Sequence, residues 1–248
     1  MLMSILQVNS EDIPPYAIVC GDPKRAEMIA GKLEGTRELA FSREYRTFTG
    51  EYEGVKLAVV SHGVGSAGAA VCFEELIRAG VNTLIRVGTA GSYSQDIPAG
   101  SLVVSTAAVR AEGLTRQLVP EGFPAVGDSQ VVNALFEAAN ATAGVTAKGI
   151  TVALDAFFTG VVEIPHKQYK QAGAVAVEME IAALYIVSTL RGARAGAILA
   201  IDGFADAELS EVYDPHTDAV ANAVEREIQS ALRAIVSLAH EDAQVTHA

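Results

Sequence analysis

Arg86 follows the apolar run Thr83-Leu84-Ile85 and precedes Val87-Gly88-Thr89-Ala90-Gly91-Ser92. The run reads as a buried strand, and a guanidinium at its C-terminal end is unfavourable to bury unless an anion meets it. That anion is either a bound carboxylate or phosphate, or an internal Asp or Glu in a structural ion pair. For a bound anion, the glycines would let backbone N–H groups approach and Thr89 would add a hydroxyl donor. Gly21-Asp22-Pro23-Lys24-Arg25 is a second anion-competent turn. Asp22 suits a helix N-cap and Pro23 the first helical position, which puts the Gly21 amide and Arg25 at a helix N-terminus. A well-capped surface helix with an incidental arginine has the same signature.

Carboxylates mark two further strand ends. Glu178 and Glu180 follow an apolar run where a helix begins. They serve there as dipole partners, or one of them accepts both hydroxyls of a vicinal diol such as a ribose. Asp202 ends the almost wholly apolar strand 195–201 and precedes Gly203; partial desolvation there raises a carboxyl pKa and suits acid–base chemistry. Phe157 and Phe158 leave a strand for a loop, either packing in the core or offering a flat shelf to a heterocycle. In Ser42-Arg43-Glu44-Tyr45-Arg46, the arginines guard an edge strand, or one reaches an anion in this subunit or a neighbour. Ser61-His62-Gly63-Val64-Gly65-Ser66-Ala67-Gly68 satisfies G-x-G-x-x-G, but the next strand ends in Arg86 and Gly88 rather than the acid a dinucleotide ribose needs. Its glycines therefore read as a tight strand-to-helix turn lining a pocket, and His62 as a hydrogen-bonded structural histidine.

The elements that must position these residues alternate in type. Strand 16–20 leads to a helix over 24–33, then to strands between 36 and 60 with a hairpin turn at Glu53-Gly54. A helix to about Ala79, strands at 83–85 and 102–108, a helix from Asp128 to about Ala143 and a strand at 145–153 follow. Between them, Arg110 to Gly127 reads as a long irregular stretch, a lid or subunit contact. Helices over 181–190 and from 215 to 239 complete the pattern, with a frayed polar tail. Such alternation implies a parallel α/β sheet with ligands bound beyond the strands' C-terminal ends.

The chain of 248 residues fits one sizeable domain. Its formal charge of −12 argues against nucleic acid or an anionic membrane as partner. No apolar run reaches the roughly 18 residues of a membrane span, and no signal-type segment opens the chain, so a soluble cytoplasmic protein is expected. Cys20 and Cys72 read as free, buried thiols, and no metal-ligand spacing is present.

Taken together, Gly21-Asp22-Pro23-x-Arg25, Arg43, His62-Gly63-x-Gly65, Arg86-x-Gly88-Thr89-x-Gly91 and Val177-Glu178-Met179-Glu180 resemble the signature set of the trimeric and hexameric nucleoside phosphorylase family, in order from about residue 15 to 205. Arg43-Glu44-Tyr45, Ser61–Gly65, Phe123–Gly127 and Ile201-Asp202-Gly203 resemble its apicomplexan-type purine branch, with uridine phosphorylases as near relatives. The resemblance implies one three-layer α/β/α domain over residues 1–248 with a central twisted mixed sheet, an ordered core over 15–240 and a tail over 241–248. It implies that Gly21, Arg25, Arg86 and Thr89 hold inorganic phosphate, a co-substrate with no cofactor beside it. Arg43 would complete that site from a neighbouring subunit of a homo-oligomer, often a hexamer built as a trimer of dimers. Met179 and Glu180 would hold ribose, Val177 with Phe157 or Phe158 would line the base, and Asp202 would donate a proton to purine N7. No metal is implied.

The implied reaction is phosphorolysis of an inosine- or guanosine-like nucleoside to free base and ribose 1-phosphate. Thr89 is more usual in the uridine branch, so uridine is the alternative substrate. Asp202, and the absence of a Gln-x-Arg pair from 159–165, favour purine. Ser4–Gln7 lacks the histidine with which the family often reaches a neighbour's ribose 5′-hydroxyl, and the loop Phe204–Asp214 lacks the particular aromatic that apicomplexan-type relatives place over the base. A nucleosidase would have no use for the phosphate arginines, and a non-catalytic binding protein would have none for Asp202.

Overall fold

The structure is a computed structural model that describes residues 1–205 and 215–246. Among the described residues its sheet has ten strands: β1 (Tyr16–Cys20), β2 (Glu34–Ser42), β3 (Tyr45–Tyr52), β4 (Val55–Ser61), β5 (Thr83–Ser92), β6 (Leu102–Arg110), β7 (Ala125–Val126), β8 (Thr146–Ala153), β9 (Ala176–Glu178) and β10 (Arg194–Phe204). The α-helices among the described residues are α1 (Pro23–Ala30), α2 (Ser66–Ala79), α3 (Leu114–Leu118), α4 (Ser129–Asn140), α5 (His166–Gln171), α6 (Ile181–Arg191) and α7 (Asp218–Thr246).

Side chains alternate across each strand, and this divides the core in two. Ala17 and Val19 of β1 join α2 and α6 on one face, through Phe73, Leu76 and Leu184. Ile18 and Cys20 join α1, α4 and α7 on the other, through Ile29, Leu135 and Ile235. The result is the expected three-layer α/β/α domain with a mixed central sheet.

β1 lies parallel between β4 and β5, and β5 pairs in parallel with β10. From β10 the sheet continues antiparallel to β6, then parallel to β8 and β9, and β9 returns antiparallel to β5 at Gly91 and Ser92. The sheet therefore curls shut beside β5 instead of remaining open. β5 allows this because it does not end at Arg86: pairing with β10 runs on to Ser92 and Phe204. Gly88 and Gly91, expected above to lie beyond the strand's C-terminal end, lie inside it. A side chain at Gly88 would strike the Arg86 guanidinium, and one at Gly91 would meet Ala205 at 2.9 Å.

Local signals were read correctly at several places. Tyr16–Cys20 is a strand with every residue buried, and Asp22 caps α1 by accepting from Lys24 N at 2.8 Å. Glu53 and Gly54 turn the β3–β4 hairpin with φ of 47° and 82°. Three expectations need correction. Residues before 15 belong to the core: Met3, Leu6 and Val8 are buried, and the Ile5 and Leu6 amides donate to Glu75. Helix α7 continues past 239 to Thr246, and Asp242 accepts from Tyr16 Oη at 2.7 Å and Arg194 Nη2 at 2.6 Å. Arg110–Gly127 holds α3 and β7, and Arg110 gathers the loop by donating to the carbonyls of Thr115, Pro120, Glu121 and Phe123. Cys20 and Cys72 are free and buried. Among the described residues no helix is long and apolar enough to cross a membrane.

Candidate active site

A cavity of about 920 Å³ opens where β1, β5, β9 and β10 end. Its lining includes Gly21, Arg25, Arg86, Thr89, Phe157, Phe158, Val177, Met179, Glu180 and Asp202. Every site residue named above is therefore in it except Arg43. That residue is exposed in the turn between β2 and β3, with φ of 56°, and the cavity of its own chain does not contain it. The neighbouring Glu44 packs against the glycine turn, where a side chain at Gly63 would meet it at 2.8 Å. Arg46 lies on β3, which is paired on both sides, and donates to Glu27 at 2.9 and 3.1 Å and to Glu38 of β2 at 3.0 Å.

Arg86 takes the internal alternative. Its guanidinium is almost fully buried and donates to Glu180 Oε2 and, at 3.3 Å, to Glu178 Oε2. Glu180 is engaged at its other oxygen too, accepting from the Gly65 amide at 2.6 Å. Glu178 is the helix-dipole partner of α6, accepting from Glu180 N at 2.7 Å and Ile181 N at 3.0 Å. Burial pushes the Glu178 carboxyl up to about 7, against the opposing pull of Arg86.

The glycine turn has the expected form, with Gly63 and Gly65 at φ of 74° and 98° leading into α2. Gly63 and Val64 line the cavity. His62 is fully buried, with Nδ1 2.9 Å from the Gly63 carbonyl and its ring edge-on to Phe73, and burial holds its pKa well below the usual range. It is structural. Phe157 and Phe158 form a T-shaped pair with centroids 5.0 Å apart and are 61% and 84% exposed, so core packing does not account for them. Asp202 is buried at the β10 irregularity between Ile201 and Gly203. Ser4–Gln7 does not line this chain's cavity, and 206–214 of the loop discussed above lie outside the described residues.

Two residues of the site escaped sequence reading. His166 lines the cavity from the start of α5, with Nδ1 2.8 Å from Tyr93 Oη; a lone histidine in a polar stretch carries no pattern. Glu227 stands behind Arg25, with Oε1 3.5 Å from Nη1. Its signal was present, because it interrupts the buried stripe Ala223, Val224, Ile228, Ala231, Leu232 of α7 at helical spacing.

Residues 15–237 match the family model described as the phosphorylase superfamily. The chain belongs to that superfamily. It is 40% identical over 205 residues to a purine nucleoside phosphorylase of Plasmodium falciparum, covering 82% of this chain and 83% of that one. It is 38% identical to a uridine phosphorylase of Thermococcus kodakarensis, covering 77% and 73%. Among solved superfamily structures, purine nucleoside phosphorylase from Toxoplasma gondii in complex with immucillin-H aligns with a TM-score of 0.91 at 31% identity, covering 97% of each chain. The curled sheet and the cavity beside β5 thus belong to a superfamily domain that the chain spans almost completely.

Proposed function

We propose that this nucleoside phosphorylase acts on purine nucleosides, converting an inosine- or guanosine-like substrate and inorganic phosphate to free base and ribose 1-phosphate. The observation that carries the reading is the buried Asp202 carboxyl, which shares one cavity with Arg25, Arg86 and Glu180. A phosphate oxygen attacks C1′ as the C1′–N9 bond breaks, and the bonding pair leaves with the base. Positive charge develops on the sugar and negative charge on the base. The phosphate dianion offsets the first, held by Arg25, Arg86, Thr89 and the Gly21 amide and by Arg43 of a neighbouring copy. Asp202 offsets the second by giving its proton to N7. Met179 and Glu180 hold the ribose, and Val177, Phe157 and Phe158 flank the base.

This reading requires exchange at Arg86, whose guanidinium must turn from Glu180 to phosphate as Glu180 turns to the ribose hydroxyls. Thr89 in the cavity wall favours a second reading, with uridine as the nucleoside. Turnover of inosine, guanosine, adenosine and uridine with and without phosphate tests both. Phosphate-dependent turnover led by inosine or guanosine supports the purine reading, and a lead for uridine transfers it to the second. Turnover without phosphate, or none on any substrate, refutes phosphorolysis.

A further inference from the structure

Glu227 approaches the cavity from the α7 side of the sheet, whereas Glu178 and Glu180 lie at the start of α6. It is fully buried, and no described residue gives either carboxylate oxygen a hydrogen bond of good geometry. The amides of Gly88 on β5 and Ala200 on β10 face it. Arg25 on α1 is its nearest cation, at 3.5 Å. Other ionisable groups around it, among the described residues, include Arg86 on β5, itself tied to Glu178 and Glu180, and the Cys20 thiol on β1. Arg25 in turn lines the cavity, whereas Glu227 does not, so this buried carboxyl and an anion in the cavity would compete for the same guanidinium.

An ionised carboxylate so poorly compensated is unstable, and burial pushes Glu227 up to about 8. Near neutral pH it keeps its proton, and Arg25 keeps an undivided charge. Resting on the phosphate reading above, we propose that Glu227 is a positioning residue for Arg25: protonated, it leaves the guanidinium to the phosphate dianion, and ionised, it withdraws it as an internal counter-ion. Phosphate binding above neutral pH then transfers one proton from solvent to the Glu227 carboxylate. No bond to phosphate is made or broken by Glu227 itself.

Titration calorimetry of the full chain with inorganic phosphate alone, at pH 7 and pH 9, tests this. For a group titrating near 8, phosphate affinity in the wild-type protein falls by about tenfold more over that interval than in Glu227→Gln, whose amide cannot ionise. Measured at pH 9 in two buffers of different ionisation enthalpy, wild type takes up close to one more proton per phosphate than the variant. Glu178 is common to both proteins and cancels in the comparison. Should Glu227→Gln fold poorly, Glu227→Met, apolar like Val224 and Ile228 beside it, gives the same contrast. Equal pH dependence and equal proton uptake in wild type and variant overturn the inference while leaving the phosphate site standing. Absence of phosphate binding to the wild type at both pH values overturns the functional reading instead.

Discussion

Replacing Glu227 by glutamine should make the protein less sensitive to alkali, and the size of the effect can be worked out. The folded protein holds this carboxyl up to about 8 against an ordinary value of 4.5. Between those values the folded state keeps a proton that the unfolded chain has lost, so stability falls as pH rises through that window. At about 1.4 kcal/mol per pH unit the decline reaches about 5 kcal/mol by pH 8. It is flat below the unfolded value, where both states are protonated, and flat again above the folded one. Glutamine has no proton to lose, so the variant lacks the slope. Its buried amide leaves unmatched donors and adds a penalty of about 1–3 kcal/mol, but that offset does not vary with pH. Urea unfolding followed by far-UV circular dichroism at pH 5, 6, 7, 8 and 9, at one protein concentration, separates slope from offset. The difference, variant minus wild type, should climb from pH 5 to 8 and then level. Parallel stability profiles for the two proteins would refute the argument that Glu227 is buried as a neutral acid.

Asp202→Asn should reduce kcat on inosine by about 10²–10⁴-fold with little change in nucleoside KM, since the amide occupies the same place without an acidic proton; unchanged turnover removes Asp202 from the acid role. Gly88→Ala should drive a methyl group into the Arg86 guanidinium, loosening the cation from Glu178 and Glu180 at a cost of about 3–5 kcal/mol if the pairs break fully. A denaturant midpoint equal to wild type would show that Arg86 does not cover Gly88. Truncation after Ala239 removes Asp242 and its bonds to Tyr16 and Arg194. It should lower stability by about 1–3 kcal/mol, and an unshifted thermal midpoint would return the last turns of α7 to the status of a loose tail.

What could be read in advance divides by range of interaction. The boundaries of β1, the Asp22 cap and the Glu53-Gly54 turn are decided by residues within a few positions of one another, and each was legible. The length of β5 was not, because Gly88 and Gly91 look like a break until β10 pairs alongside them. Nor was the closure of the sheet, which depends on β9 meeting β5 at Gly91 from more than eighty residues away. The end of α7 failed for the same reason. His240-Glu241-Asp242-Ala243-Gln244 has the polarity of a solvated tail, and only Arg194 and Tyr16, distant in sequence, make Asp242 part of the fold.

The site itself was legible by residue type but not by partner. Arg86 demanded an anion, and two candidates, one internal and one bound, were compatible with its surroundings in the chain. In the structure Arg86 meets the internal one, Glu180, yet both side chains line the cavity. A guanidinium paired with a carboxylate at a cavity wall can exchange that partner for a ligand, while one sealed in the core cannot, because only the first has a replacement anion within reach. On the proposed function, the structural ion pair and the anion site would be two states of Arg86 and Glu180. Glu178 is held to α6 by the Glu180 and Ile181 amides, whereas Glu180 has the Gly65 amide alone besides Arg86 among the described residues, so Glu180 is the carboxylate with fewer bonds to give up in an exchange. Coupling is the expected outcome of the proposed roles: phosphate that drew Arg86 away would also release Glu180 to a ribose, so each substrate would strengthen the binding of the other by the same factor.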